Sequence, residues 1–270
     1  MRIVNTLGAV VLVMALGSMS GCGQISLGTT VNKWLGLQSD TELDLGSDAP
    51  SSLAGQAQAR MEADDYKGAA TLWQQLKDQY PYSRFAVLAE LKLGDALYLQ
   101  EKYVEALAAY EDFERLHPDN EAVPYSIYQQ GMCHYMRMQG IDRDQTPTIQ
   151  TIQTLARLVE MYPSSQYAAM GQARIAEAQN NLAGHEFYVG EFYYKRQDYE
   201  AAINRFMGLL QYYPDSGYHQ RALNYIADYK QLVADGKVTP GENQRDDMFD
   251  SPFLQDFDPS GTGSGNGPMI

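Results

Sequence analysis

Cysteine is nearly absent: Cys22 and Cys133 are the only two in 270 residues, too few for the disulfide framework that holds small secreted domains together. Histidine is scarce too, with four dispersed residues, His117, His134, His185 and His219. None has a partner at a metal-ligand spacing such as H-x-x-x-H, so no metal site is supported. There is no G-x-S-x-G elbow, and the glycine-rich end "PSGTGSGNGP" lacks the strand and helix that a phosphate-binding loop requires. Cations are outnumbered, 20 Lys and Arg against 34 Asp and Glu, for a formal net charge of −14. With no basic cluster, that balance disfavours nucleic acid as a partner and disfavours docking to anionic lipid by charge alone. Acidic residues are so plentiful that their proximity in sequence identifies no acid/base pair. These absences leave no catalytic residue, metal or cofactor to name, and direct attention to surface recognition.

The N-terminus begins Met1, Arg2, continues through a predominantly apolar stretch from Ile3 to Leu16, and reaches "GSMSGC" ending at Cys22. The stretch is shorter than the ~20 apolar residues of a membrane-spanning helix and reads as a secretory signal over 1–21. Ser20 and Gly21 before Cys22 resemble the lipobox of bacterial lipoproteins, with Met19 in place of the usual leucine. That resemblance implies a mature N-terminus at Cys22 carrying S-diacylglycerol and an N-acyl chain, and no other cofactor. Gly23, rather than an aspartate, follows the cysteine, which implies the periplasmic face of the outer membrane. An ordinary thiol after an ordinary cleavage site is the alternative. With Cys22 acylated, Cys133 has no disulfide partner, and beside Met132 and His134 on a helical stretch it is expected to be a small buried thiol. Residues 22–52 are polar and read as a tether. From Asp235 the chain is acidic and then rich in Gly and Ser, so 235–270 is expected to be disordered; Met248, Phe249, Phe253, Leu254 and Phe257 are the residues from which a short docking motif would be built.

Between these ends the sequence repeats. "DYKGAATLWQQLKDQYP" (65–81), "KYVEALAAYEDFERLHP" (102–118) and "DYEAAINRFMGLLQYYP" (198–214) each place a tyrosine fifteen residues before a proline. Three residues after Tyr66, Tyr103 and Tyr199 stand Ala69, Ala106 and Ala202; seven after stand Trp73, Tyr110 and Phe206; ten after stand Leu76, Phe113 and Leu209. Tyr80, His117 and Tyr213 follow at offset fourteen. Those offsets fall on one face of a helix of 3.6 residues per turn, and the proline ends it. A fainter copy runs from Pro147 to Pro163 with Ile152, Leu155, Leu158, Val159 and Tyr162 on its face. Gly94 and Gly190 lie nine residues before Tyr103 and Tyr199.

The spacing Gly94, Tyr103, Ala106, Tyr110, Phe113, Pro118 resembles the tetratricopeptide repeat, a helix-turn-helix unit whose glycine permits close helix approach. The expected fold is therefore all-α, a tetratricopeptide-repeat superhelix over 53–234. Such stacks bind proteins and extended peptides on the face lined by the first helix of each pair. Counting from Gly94 places Leu91, Asp95 and Tyr98 on that face, and counting from Gly131 adds Tyr125, Tyr128, Met132 and Tyr135; inter-repeat core is the alternative for each. A groove rich in tyrosine, with a methionine, suits apolar or aromatic side chains of a substrate.

An irregular segment sharpens the assignment. "GIDRDQTP" (140–147), then "LVEMYPSSQY" (158–167) and "HEFYVGEFYYKRQDYEAAINRFMGLLQYYPDS" (185–216) interrupt and resume the repeat, and "YPYSRFAVLAELKLGDALY" (80–98) precedes them. Together they closely resemble the BamD family, lipoprotein subunits of the outer-membrane β-barrel assembly machinery. The resemblance spans about Leu53 to Val233. It implies five repeats, ten helices, and a scaffold without enzymatic activity. Its implied partners are the periplasmic domains of the barrel subunit BamA at the C-terminal repeats, unfolded outer-membrane β-barrel proteins at the N-terminal repeats, and accessory lipoproteins of the same machinery. Arg205 in "INRF" matches an arginine of the family helix, and with Asn204 is expected to face outward toward the partner. The alternatives left by the sequence are a periplasmic tetratricopeptide lipoprotein that coordinates cell-wall synthesis or division and, third, an enzyme with an unrecognised site.

Overall fold

The computed structural model describes residues 49–241, and every regular element among them is an α-helix. In chain order these are α1 (Ala49–Glu62), α2 (Tyr66–Gln79), α3 (Ala86–Leu99), α4 (Tyr103–Leu116), α5 (Val123–Tyr135), α6 (Thr146–Met161), α7 (Gln166–Lys195), α8 (Tyr199–Tyr212) and α9 (His219–Ala234). Each helix packs on its sequence neighbours, and α5 also touches α7. This is the tetratricopeptide-type repeat expected from the periodicity. Among the described residues nine helices are found, and the segment starting at Gln166 and the first helix of the repeat containing Gly190 are one continuous 30-residue α7. No proline lies between them and Gly184 stays helical and buried within α7, so helical propagation runs through.

The repeat shows in the backbone as well as in the sequence. Asp64, Glu101 and Gln197, each two residues before the repeat tyrosine, hold φ of 56°, 62° and 63°. The amides that follow them donate five residues back: Asp65 to the Arg60 carbonyl, Lys102 to Leu97 and Asp198 to Tyr193. This is a Schellman closure with a side-chain-bearing residue where glycine is usual. At the other end, Tyr80, His117, Tyr162 and Tyr213 share φ near −132° and ψ near 55°, a shape imposed by the proline that follows each. The fainter copy ending at Pro163 thus carries the same exit as the strong ones.

Packing follows the offsets. Ala69, Ala106, Ala202, Leu76, Tyr110, Phe206 and Leu209 are fully buried, with Trp73 and Phe113 nearly so. Ile152, Leu155 and Leu158 fill the equivalent face of α6. In three of the repeats the glycine of the first helix meets the bulky residue of the second, and in the first repeat the buried Ala57 holds the glycine's position. A Cβ on Gly94 would lie 2.7 Å from the Tyr110 ring, one on Gly190 2.5 Å from the Phe206 ring, and one on Gly131 2.3 Å from Leu155. Cys133 is buried, as expected, and burial pushes its thiol up to about 12. The irregular loop is docked on α7, with Asn181 Nδ2 donating to the Gln139 carbonyl at 3.2 Å and His185 Nδ1 to the Ile141 carbonyl at 2.7 Å. Gln145 closes it from within by donating to the Gly140 and Arg143 carbonyls.

The signal segment, Cys22 and most of the tether lie outside the described residues, as does the tail beyond Gly241. Helix α1 begins at Ala49, a few residues ahead of the expected domain start.

Candidate partner and substrate surfaces

Four of the seven expected groove residues are interior. Leu91 is fully buried, and Asp95, Tyr125 and Tyr128 are nearly so. Tyr128 packs its ring on Tyr167 of α7, and Asp95 and Tyr125 belong to a polar network inside the stack. Asp95 Oδ1 accepts from Tyr110 Oη of α4 at 2.8 Å and from Tyr125 Oη of α5 at 2.6 Å, while Oδ2 takes Lys92 Nζ at 3.0 Å. Gln129 Nε2 donates to Tyr125 Oη. Lys92 is itself buried, so a cation and a carboxylate are held out of water by one another and by two phenols. Burial, and then the neighbouring Asp95 carboxylate, push both tyrosine hydroxyls well above their usual range, so they remain donors. The network ties α3, α4 and α5 together in one geometry, because removing any member strands a buried charge or phenol. Counting along a helix finds which face a residue is on; it does not say whether a following helix covers that face.

Tyr98, Met132 and Tyr135 are half-buried, with surface still reachable. Tyr135 Oη donates to Glu177 of α7, and the Arg174 guanidinium lies 5.2 Å from the Tyr135 ring centroid. Arg174 also bonds Glu177 at 2.8 Å. The hydrogen bond from Tyr135, joined by Arg174, holds the Glu177 carboxyl below its usual range against the opposing effect of burial. This edge presents aromatic rings beside a satisfied ion pair, a surface for apolar side chains rather than for a charged ligand. Tyr98 packs edge-on against Tyr103 at 5.3 Å.

The α8 candidates separate. Asn204 is exposed as expected. Arg205 is not a free outward cation: its side chain is 24% exposed and its Nη1 lies 3.0 Å from Oε2 of Glu186, whose side chain is 9% exposed. Glu186 stands on α7, where α7 and α8 pack, and nothing in the local sequence of α8 announces it. Beside Asn204 the outward face of α8 continues with Met207, 56% exposed, and Gly208, whose added Cβ would meet nothing within 4 Å. A glycine inside a helix costs about 1 kcal/mol relative to alanine. Gly94, Gly131 and Gly190 have an internal reason for that cost and Gly208 has none. Among the described residues no cluster of His, Cys, Asp and Glu is arranged to hold a metal ion, and no helix is long and apolar enough to cross a membrane.

Comparison with known proteins supplies the context. Residues 47–239 match the family model described as YfiO, outer membrane lipoprotein. The outer membrane protein assembly factor BamD of Neisseria gonorrhoeae is 31% identical over 218 residues, covering 75% of this chain and 80% of that protein. BamD of Vibrio cholerae serotype O1 is 28% identical over 194 residues, covering 68% of this chain and 80% of its own. BamD of Caulobacter vibrioides is 28% identical over 164 residues, 61% of this chain and 54% of that one.

Proposed function

Because this chain belongs to the YfiO family of outer membrane lipoproteins, we propose that it is a non-enzymatic outer-membrane protein assembly factor anchored by lipid on Cys22 at the periplasmic face. It binds the periplasmic domains of BamA through the outward face of α8, and unfolded outer-membrane β-barrel proteins through the edge formed by Tyr98, Met132 and Tyr135. The observation that carries the partner assignment is Gly208. An interior helical glycine with open space above it, flanked by exposed Asn204 and Met207, suits a partner whose backbone approaches α8 closely. Arg205 then acts through its pair with Glu186: a carboxylate on the partner is shared with, or exchanged for, the internal one, and the planar guanidinium can serve two oxygens.

Capture of the BamA periplasmic domains by immobilised protein tests this reading. Gly208→Gln fills the open space without touching the core, so the variant should stay at least as helical and as stable as the native chain while its affinity falls tenfold or more, about 1.4 kcal/mol. Undiminished capture by that variant would remove α8 from the interface. Tyr98→Ala with Tyr135→Ala should lower cross-linking to an unfolded barrel protein while leaving BamA capture intact, and equal cross-linking would move the substrate surface elsewhere.

A further inference from the structure

The long helix α7 carries an aromatic stripe for which the packed repeats have no use. Tyr188 is 46% and Phe192 49% exposed, four residues apart and therefore on one face. Arg196, a further four along, lays its guanidinium 5.3 Å from the Phe192 ring centroid. Lys195, 72% exposed, and Arg221 of α9, 56% exposed, flank them, with Glu191 as the facing carboxylate that both approach. On a chain of net charge −14, a place where two cations share one carboxylate and a third lies over a half-exposed ring is distinctive.

The described chain leaves the repeats close by. The Gly241 amide donates to Glu200 Oε1 at 3.2 Å, and Tyr229 Oη holds the same oxygen at 2.6 Å. Glu200 is four residues beyond Arg196, at most ~14 Å of chain, and Tyr188 is a further ~12 Å back along the helix axis. Beyond Gly241 come 29 residues carrying six acidic side chains against one arginine, with Phe249, Phe253 and Phe257 set among Asp246, Asp247, Asp250, Asp256 and Asp258. Twelve residues from Gly241 to Phe253 reach up to ~42 Å, so length does not limit them. The tail has the rings for the stripe and the carboxylates for its cations, and its effective concentration there is that of a short linker, in the millimolar range.

We infer that residues 246–257 dock in cis on the Tyr188–Phe192–Arg196 stripe of α7, aromatic side chains against the rings and aspartates against Lys195, Arg196 and Arg221. The inference is independent of the assignment of α8 to a partner.

Disulfide trapping in the full chain tests it, with Cys22→Ser leaving the buried Cys133 as the one native thiol. Lys195→Cys paired with Ser251→Cys should close within a single molecule at least ten times faster than Tyr82→Cys paired with Ser251→Cys, since Tyr82 is fully exposed and lies in the first repeats. Adding Phe249→Ser, Phe253→Ser and Phe257→Ser should bring the fast pair down to the reference rate, and 1 M salt should slow it, because exposed charges are then screened within ~3 Å. Equal rates for the two pairs overturn the inference, as does a fast pair that ignores the three serine substitutions, which would reflect tether length alone. Cross-links found only between molecules would give the stripe to a second copy and equally overturn docking in cis.

Discussion

Replacing Arg205 has two separable consequences, and the charge swap with Glu186 distinguishes them. The pair is short, 3.0 Å, and Glu186 is only 9% exposed at its side chain. Removing the arginine strands a nearly buried carboxylate, for which fully buried pairs lose about 3–5 kcal/mol. Because Arg205 keeps a quarter of its surface in water, solvent recovers part of that loss, and Arg205→Ala is expected to cost about 2–3 kcal/mol. Arg205→Glu should cost more, since it sets a second carboxylate against the first. The double variant Glu186→Arg with Arg205→Glu keeps both charges at the same sites, so it should recover at least half of the loss. Urea unfolding followed by helical circular dichroism reads the stability, and capture of the BamA periplasmic domains reads the interface. If Arg205 also meets a carboxylate of the partner, the swapped chain regains its stability but not its capture, because the outward-reaching charge is now negative. Arg205→Ala within about 0.5 kcal/mol of the native chain, the range of ordinary surface substitutions, would refute the structural half of this reasoning. A swapped variant with native capture would refute the other half.

Other outcomes follow from the same packing. Two glycines on adjacent helices should respond oppositely to alanine: Gly190→Ala forces a Cβ to 2.5 Å from the Phe206 ring and should lose about 1–3 kcal/mol, whereas Gly208→Ala should gain up to about 1 kcal/mol; denaturant midpoints of the two variants check the sign. Burial opposes ionisation of Glu114, but hydrogen bonds from Arg157 and Gln130 outweigh it and hold its carboxyl below the usual range. A carboxyl depressed by folding stabilises above its unfolded value of about 4.3 and loses that contribution as pH falls through the folded one. Arg157→Gln should therefore melt lower at pH 7 and show a shallower decline between about pH 5 and 3 than the native chain; parallel melting curves would contradict it. Cys22→Ala should yield an unprocessed or mislocalised chain, checked by mature mass and membrane fractionation.

What the sequence determined by itself was the repeat and its periods. An offset of 3, 7 and 10 from each tyrosine is a property of one helix, decided by 3.6 residues per turn, so Ala106, Tyr110 and Phe113 could be placed in the core without any neighbour in view. The proline exits and the irregular loop around "GIDRDQTP" were equally local, and they carried the family. What only the tertiary structure decided was which helical faces another helix covers. Leu91, Asp95, Tyr125 and Tyr128 lie on the counted face, yet all are buried: Tyr110 of α4 and Tyr125 of α5 bond Asp95, and Tyr167 of α7 packs its ring on Tyr125 and Tyr128, since one helix cannot report the burial contributed by elements tens of residues away. Arg205 was legible as a polar position on α8, whereas its partner Glu186 stands 19 residues earlier on α7 and is brought to it by the packing of two helices. The same packing fills the space above Gly190 and leaves the space above Gly208 open, so that two glycines alike in sequence differ in meaning because of the neighbours the fold supplies.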